Sequence, residues 1–166
     1  YDNANFFSEG LAGVRKNGKW GYIDKTGKIV VKLQYDAVYA FINGTARVDK
    51  DGAKGMIDKA GKEVIKPSYA EVWPFVEGMA LVQGSKRGFV DANGKVVVAP
   101  KYDHAYEFSE GLAAVQKNEK YGFIDKTGKE VVGLEYDYVN NFKNGMAVVK
   151  KGWTYGFIRN PLDKSR

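Results

Sequence analysis

The chain has 166 residues, 44% of them hydrophobic and 14% aromatic, which is enough for the core of one domain or of several small stacked repeats. Its formal net charge is +6, but the lysines are spread along the whole chain beside acidic residues, so no nucleic-acid partner is expected. The absence of cysteine excludes disulfides and thiolate metal sites, and no apolar run is long enough to span a membrane as a helix.

The chain begins at Tyr1, without an initiator Met or a signal-like segment, which suggests a processed or trimmed chain. The compartment stays open, with the cell envelope or secretion as the favoured locations.

Residues 7–40 predict four extended segments joined by turns. Leu11–Lys16 alternates between apolar and polar residues, Asn17-Gly18 is a strong hairpin signal, and Lys19–Asp24 is the returning strand. Asp24 is expected to cap the following turn with its side chain, and Gly27 to close it. A third strand is predicted from residue 28 to 32, and a fourth extended piece from 35 to 41.

The same pattern recurs along the chain. The glycines at 21, 55, 88, 122 and 156 are separated by 34, 33, 34 and 34 residues, a period typical of repeat proteins. The predicted organisation is one repeat domain, 1–166, with a partial unit 1–6, units 7–40, 41–74, 75–107 and 108–141, a partial unit 142–158 and a loose tail 159–166. The third unit lacks one residue in its first hairpin turn, near Gly84-Ser85.

The fold class predicted is all-β, with tandem repeats of about 34 residues that form β-meanders or hairpins. Adjacent apolar residues such as Val30 and Val31 point to opposite faces of a strand, so both faces of each sheet require cover. Neighbouring repeats are therefore expected to complete one another's cores. The central glycine of each repeat is expected to lie under a large ring from a neighbouring strand.

Two closures are compatible with the sequence. An open β-repeat array is favoured, because Asn160-Pro161 interrupts the place of a further strand in the last unit. The alternative is a closed five-bladed propeller, in which residues 1–7 complete the blade begun by residues 145–158.

The unit of the form Phe-x-x-Gly-x-Ala-x-Val, then Trp20-Gly21-Tyr-Ile-Asp and Tyr-Asp-x-Val, resembles the WG-repeat family of bacteria. The resemblance covers residues 1–158, although Lys54, Arg87, Tyr121 and Tyr155 replace the tryptophan in later units. It implies a β-rich repeat protein with a variable number of copies and no well-defined common activity, and it transfers no catalytic residue.

The residues contain little that indicates catalysis. His104 is the only histidine, which excludes a His-based zinc site or a Cys-His nucleophile within one chain, and it is interpreted as a loop residue. Asp24 and its equivalents stand alone between lysines rather than in clusters of oxygen ligands, so they are interpreted as turn caps and not as calcium ligands. No enzyme, cofactor or metal is predicted.

The candidate binding residues are Tyr39, Trp73 and Tyr106, three aromatic residues at one position of the repeat. An exposed ladder of rings would suit a protein partner, through an extended segment, or a sugar polymer. The alternative is that the rings pack between repeats, in which case the lysine-rich turns become the candidate surface.

The favoured function is a non-enzymatic binding or scaffold module that mediates protein–protein interaction. A glycan or cell-wall binding module is the alternative, since residues 21–28 are similar to the aromatic hairpins of choline-binding cell-wall repeats, which are shorter units.

Overall fold

The computed structural model describes residues 1–164, and these residues form β-strands joined by turns, without a helix. The strands are β1 (Asn3–Ala4), β2 (Leu11–Lys16), β3 (Lys19–Asp24), β4 (Ile29–Tyr35), β5 (Ala37–Val38), β6 (Thr45–Lys50), β7 (Ala53–Asp58), β8 (Glu63–Tyr69), β9 (Glu71–Val76), β10 (Met79–Gln83), β11 (Arg87–Asp91), β12 (Val96–Tyr102), β13 (His104–Ala105), β14 (Leu112–Lys117), β15 (Lys120–Asp125), β16 (Glu130–Tyr136), β17 (Tyr138–Val139), β18 (Met146–Lys151) and β19 (Thr154–Arg159).

The strands form five antiparallel sheets in which neighbours in sequence are neighbours in space. Sheet 1 contains β1–β4, sheet 2 β5–β8, sheet 3 β9–β12, sheet 4 β13–β16 and sheet 5 β17–β19. The second and third strands of each sheet keep one register, in which Val14 faces Gly21 and Val149 faces Gly156. The predicted all-β tandem-repeat fold is confirmed.

Strand pairing distinguishes the open β-repeat array from the closed five-bladed propeller. β1 pairs with β2, as Ala4 opposite Val14 shows, so it completes sheet 1. Within residues 1–164, sheet 5 has three strands, and no sheet closes on itself. The strand that the propeller alternative requires for the last blade is thus already used in sheet 1, and the open β-repeat array is confirmed at the level of strand pairing.

The chain divides into two compact units, residues 1–74 and 75–166, and the division falls within β9. It coincides with one of the predicted repeat boundaries. The single repeat domain inferred from the sequence stays a prediction.

The turns follow the sequence closely. Asn17 and Gly18 both have positive φ, 51° and 80°, as a two-residue hairpin requires. In the third repeat, the loop 84–86 joins five-residue strands, which accounts for the shorter unit. Asp24 caps its turn as predicted: its Oδ1 accepts hydrogen bonds from the Thr26 N–H at 2.8 Å and from the Lys28 N–H at 3.1 Å.

The group that leaves no room for a side chain at the central glycines is not the one expected. A Cβ atom at Gly122 would lie 2.5 Å from the carbonyl oxygen of Val132 and 2.6 Å from that of Gly133, on the fourth strand of the sheet. The register between β15 and β16 shifts at this point, which brings the backbone of β16 over the glycine. The prediction that an aromatic ring lies over the central glycine is therefore wrong, because the neighbouring backbone, and not a side chain, excludes a Cβ atom.

The core of unit 1 lies between sheets 1 and 2. The buried side chains of Tyr22 and Val31 from sheet 1 pack in one cluster with Val48 and Ile57 from sheet 2. The ring of Phe41 meets that of Tyr22 edge-on at a centroid distance of 4.9 Å. Within this unit, neighbouring repeats share a core, as the apolar demand on both faces predicts.

Unit 2 repeats this arrangement between sheets 4 and 5. Phe123 packs with Leu112 from sheet 4 and with Ala147 and Val149 from sheet 5. The ring of Phe142 lies 4.6 Å from that of Phe123.

The tail is held more firmly than the sequence suggests. Asn160 is buried, its N–H donates to the Gly145 carbonyl at 2.8 Å, and its Nδ2 donates to the Glu110 carbonyl at 2.9 Å. Its Oδ1 accepts from the Leu162 N–H at 2.8 Å, so an Asx turn forms where the sequence predicts a loose terminus. Residues 165 and 166, the rest of that predicted tail, lie outside the described residues.

Candidate functional site

The three candidate aromatic residues occupy one position relative to the sheets. Tyr39 directly follows β5, Tyr106 directly follows β13, and Trp73 lies within β9. The N–H of Tyr39 donates to the Arg47 carbonyl at 3.1 Å, and that of Tyr106 to the Ala114 carbonyl at 2.9 Å. These bonds continue the pairing of the first strand of each sheet, so the backbone at both positions is held by the ladder.

The exposed fraction of the side chain differs among the three. Tyr39 is 40% exposed and Tyr106 44% exposed, whereas Trp73 is half-buried. All three therefore retain contact with solvent. That they form a single ladder stays a prediction.

Tyr39 and Trp73 line one cavity in unit 1, which we call the unit 1 groove. Its volume is about 230 Å³. The lining residues are Tyr39, Ala40, Ile42, Thr45, Arg47, Met56, Val72, Trp73 and Pro74. Apolar side chains predominate in this set, and Tyr39 and Trp73 come from successive repeats.

Arg47 fixes one wall of the unit 1 groove. Its guanidinium carbon lies 3.8 Å from the centroid of the Tyr39 ring, a cation–π contact that covers one face of the ring. Its Nε lies 3.7 Å from Oδ1 of Asp49, and its Nη1 lies 3.6 Å from Oε2 of Glu71. Arg47 is thus held from two sides by carboxylates.

The charges around the groove compensate one another. Glu71 also accepts a hydrogen bond from the Lys54 ammonium, so two cations and the two carboxylates of Asp49 and Glu71 form one network. The Arg47 Nε and Asp49 Oδ1 atoms are buried and have no hydrogen-bond partner among the described residues, so the pair is held by charge at 3.7 Å. The groove therefore offers an apolar surface without a net charge at its wall.

Tyr106 lines a second groove, in unit 2, together with Tyr138, Val139, Asn140 and Asn141, with a volume of about 250 Å³. Asn140 stands at the repeat position that Trp73 has in the unit 1 groove, and the Tyr138 hydroxyl donates to its side-chain oxygen. The Tyr106 ring lies 6.4 Å from the Tyr121 ring. Burial, followed by the neighbouring Tyr106, raises the pKa of Tyr121 above its ordinary value. This groove has a polar side chain where the unit 1 groove has an indole.

The sequence did not single out the other walls of the unit 1 groove. The other repeats have an uncharged, small or aliphatic residue at the position of Arg47, namely Gly13, Leu81, Ala114 and Val148. The charged residue at this one repeat position could have marked Arg47 as a candidate from the sequence alone. Ile42 likewise stands where two other repeats have serine. Only the fold shows that both residues line the same cavity as Tyr39.

No arrangement typical of a catalytic or metal site accompanies the grooves. The interpretation of His104 as a loop residue is wrong, because it lies on the strand β13, where it is exposed. Residues 1–164 contain no cluster of three or more His, Cys, Asp or Glu side chains placed to hold a metal ion. Nor do these residues include any helix long and apolar enough to cross a membrane.

Comparison with solved structures gives distant similarities. A structure of Hsv2p from Kluyveromyces lactis is 13% identical with a TM-score of 0.44, over 90% of this chain and 56% of that one, so the chain spans about half of its length. A protein of unknown function from Bacteroides caccae is 20% identical with a TM-score of 0.33, over 94% of this chain and 69% of that one. None of the curated proteins compared with the chain matches it.

The family comparison covers most of the chain. The profile of the family described as WG containing repeat matches residues 1–20, 20–52, 55–83, 88–121 and 121–152. The five matches follow one another along the same period as the five sheets, and on this evidence the chain belongs to the WG-containing repeat family.

Proposed function

We propose that the chain is a non-enzymatic binding module, and that its unit 1 groove takes an apolar side chain from an extended segment of a protein partner. The observation that carries the proposal is the shared cavity of Tyr39 and Trp73. Rings on rigid backbone, desolvated at one edge and surrounded by smaller apolar groups, are typical of residues that dominate a protein interface.

The size of the cavity favours a side chain over a larger ligand. Pockets for small molecules usually measure about 300–1,000 Å³. At about 230 Å³ the unit 1 groove lies below this range and is comparable to a single large side chain.

The stacking geometry favours a protein over a sugar polymer. A sugar ring stacks on the open face of an aromatic ring, but the Arg47 guanidinium already lies 3.8 Å from the Tyr39 centroid on one face. Since the nearby charges are compensated, the groove also lacks free carboxylates at its wall to accept hydrogen bonds from sugar hydroxyls.

A display library of random peptides tests the proposal. We expect the enriched peptides to carry a large apolar residue, and Tyr39→Ala or Trp73→Ala to weaken the best peptide by more than about tenfold, as for an interface anchor. Trp153→Ala is the matched control, because this indole is 97% exposed and lies outside the groove.

Thermal melts of the same variants separate lost binding from lost folding. A Trp73→Ala variant that melts near the parent temperature and still binds the peptide as tightly as the parent would show that the unit 1 groove is not the binding site. Selection of polysaccharides but no peptides on parallel arrays would replace the protein partner by a glycan.

A further inference from the structure

The groove of Tyr106, which we call the unit 2 groove, lies at the same place in the repeat as the unit 1 groove. Tyr106 forms one wall and residues 138–141 form the other, around a cavity of about 250 Å³. The N–H of Tyr106 donates to the Ala114 carbonyl at 2.9 Å. In unit 1 the N–H of Tyr39 donates to the Arg47 carbonyl at 3.1 Å. The backbone is thus alike in the two grooves, and their side chains differ.

Ala114 leaves the Tyr106 ring more open than Tyr39 is. In the unit 1 groove the Arg47 guanidinium lies 3.8 Å from the centroid of the Tyr39 ring and covers one face. The equivalent residue across from Tyr106 is Ala114, whose methyl group is too short to cover a ring in this way. Tyr106 is 44% exposed, and the Tyr121 ring lies 6.4 Å away. The cation that obstructs stacking on Tyr39 is therefore absent from this position in unit 2.

The other wall of the unit 2 groove has amides where the unit 1 groove has apolar side chains. Asn140 stands at the repeat position of Trp73, and Asn141 at that of Pro74. The Tyr138 hydroxyl donates to Oδ1 of Asn140, and Nδ2 of Asn140 has no hydrogen-bond partner among the described residues. The wall thus offers a free amide donor at Asn140 and a second amide at Asn141, which can donate and accept.

The exposure of Tyr138 belongs to its position in the repeat. Its side chain is 43% exposed, and His104, the equivalent residue of sheet 4, is also exposed although sheet 5 packs on that sheet. The backbone of Tyr138 pairs with that of Lys150 in β18, so the ring is mounted on a strand rather than on a loop. Tyr138 therefore presents a well-positioned ring to a ligand.

The composition of the unit 2 groove indicates a neutral ligand with several hydroxyl groups. None of its five lining residues is charged, so the lining provides no cation for a phosphate or a carboxylate. A pyranose ring has an apolar C–H face that packs on an aromatic ring, and its hydroxyl groups donate and accept as amides do. An apolar anchor from a peptide would instead leave the amides without partners.

We propose that the unit 2 groove binds one neutral sugar ring, packed against Tyr106 and Tyr138 and hydrogen-bonded through its hydroxyl groups to the amides of Asn140 and Asn141. The cavity of about 250 Å³ lies below the usual range for larger ligands, which suits a single sugar unit of a glycan. This site is separate from the unit 1 groove and takes another class of ligand, so the inference does not rest on the protein partner proposed above.

A panel of neutral methyl hexopyranosides and their N-acetylamino forms is the probe, measured by saturation-transfer NMR with the full chain. We expect at least one of these sugars to bind saturably. Asn140→Ala should weaken its binding by about three- to tenfold through the lost hydrogen bond, and Tyr138→Ala by about tenfold through the lost ring. Both side chains are exposed, so both variants should melt near the parent temperature.

Two control variants locate the binding. Asn93→Ala is the matched control for the amide, because Asn93 is an exposed asparagine of unit 2 that lies outside the groove. Trp73→Ala is the control for the unit 1 groove. It should leave sugar binding unchanged while it weakens the selected peptide, so that failure of one proposal is distinguishable from failure of the other.

Absence of saturable binding by every sugar of the panel would overturn the proposal. So would a sugar that binds the Asn140→Ala and Tyr138→Ala variants as tightly as the parent, or one whose binding Trp73→Ala abolishes, because the site would then lie elsewhere. Display peptides that lose affinity in the Asn140→Ala variant, with no sugar bound, would make a protein the ligand of this groove as well.

Discussion

Gly122 is a glycine because the backbone of the neighbouring strand β16 leaves no room for a Cβ atom. Its equivalents recur in every repeat, and in all four four-stranded sheets the outer strand crosses where a Cβ atom would stand. The recurrence alone indicated a close approach or a bend, while the identity of the neighbour depended on the register shift between β15 and β16. Gly156 has the same place in the repeat and lacks that neighbour.

The pair of glycines gives a prediction about stability. Gly122→Ala should lower the free energy of unfolding by about 1–3 kcal/mol or more, since an added Cβ atom meets fixed carbonyl oxygens at 2.5 and 2.6 Å. Gly156→Ala should change it by less than about 0.5 kcal/mol. Chemical denaturation of both variants measures the difference, and equal effects would show that the outer strand does not constrain the glycine.

The turns after β3, β7, β11 and β15 act as one kind of element. Each has an Asp whose Oδ1 accepts two backbone N–H bonds, at Asp24, Asp58, Asp91 and Asp125. Asp24 and Asp125 also accept from a threonine hydroxyl, which is the main cause of a pKa below the ordinary value at both positions. Backbone N–H bonds lower these pKa values further, against the opposing effect of burial.

These lowered pKa values predict loss of stability in acid. Because the folded-state pKa lies below that of the unfolded chain, the contribution is present in full above the ordinary carboxyl pKa of about 3.9, and is lost as pH falls through the folded value. The thermal midpoint should fall as pH drops below about 4. It should fall less steeply in an Asp24→Asn, Asp125→Asn double variant, whose amide oxygens still accept the backbone bonds but do not titrate.

Glu107→Gln serves as the control for this series, because Glu107 is an exposed carboxylate outside these turns. Melting curves between pH 7 and pH 3 measure the slopes. If the double variant lost stability as steeply as the parent, the acid sensitivity would have to come from other carboxylates with lowered pKa values, such as Asp36 and Asp137 beside lysines.

Side-chain links between successive repeats form another kind of element within each unit. The Glu9 carboxylate accepts from the Gly44 N–H at 3.0 Å and pairs with Lys59 at 3.0 Å, and Glu77 does the same with Gly111 and Lys126. The lysine-rich turns that the sequence offered as an alternative binding surface are thus partly engaged in links between repeats. As exposed ion pairs, these links are each worth little in stability, and their regular spacing aligns one repeat on the next.

At the scale of the whole molecule, stability comes from sheets that bury one another's faces within each unit. Sheet 4 covers its apolar side with sheet 5, through Phe123, Phe142, Ala147 and Val149. In these shared cores each repeat depends on its neighbour for burial, as is typical of repeat proteins, whose stability includes the interfaces between adjacent repeats.

Removal of the last repeat tests this dependence. A chain that ends at residue 141 should expose Leu112, Ala114 and Phe123, bind a hydrophobic dye and elute as aggregates in size-exclusion chromatography, because these side chains are buried in the parent. A Phe142→Ala variant is the milder comparison, with a loss of about 3–5 kcal/mol. A truncated chain that stayed monomeric and dye-free would contradict the shared core.

The sequence by itself determined the repeats, the hairpin of β2 and β3, and the turns. The third strand, predicted from residue 28 to 32, extends from Ile29 to Tyr35, and the fourth extended piece, predicted from 35 to 41, contains only the short strand Ala37–Val38. Alternation, Asn-Gly pairs and capping Asp residues act over a few positions, so β2 and β3 were found at their observed bounds, and Asp24 was correctly assigned. It also identified Tyr39, Trp73 and Tyr106 as exceptional, although their role as binding residues stays a prediction.

Only the tertiary structure decided what these local features contact. The backbone over Gly122, the guanidinium over Tyr39 and the buried Asn160 all depend on residues brought together by sheet pairing and packing. Phe157 is another case, since its repeat position predicts burial, whereas it is 72% exposed in a sheet that has three strands among residues 1–164. Local pattern sets which face of a strand is apolar, whereas burial requires a second surface whose presence no short stretch of sequence encodes.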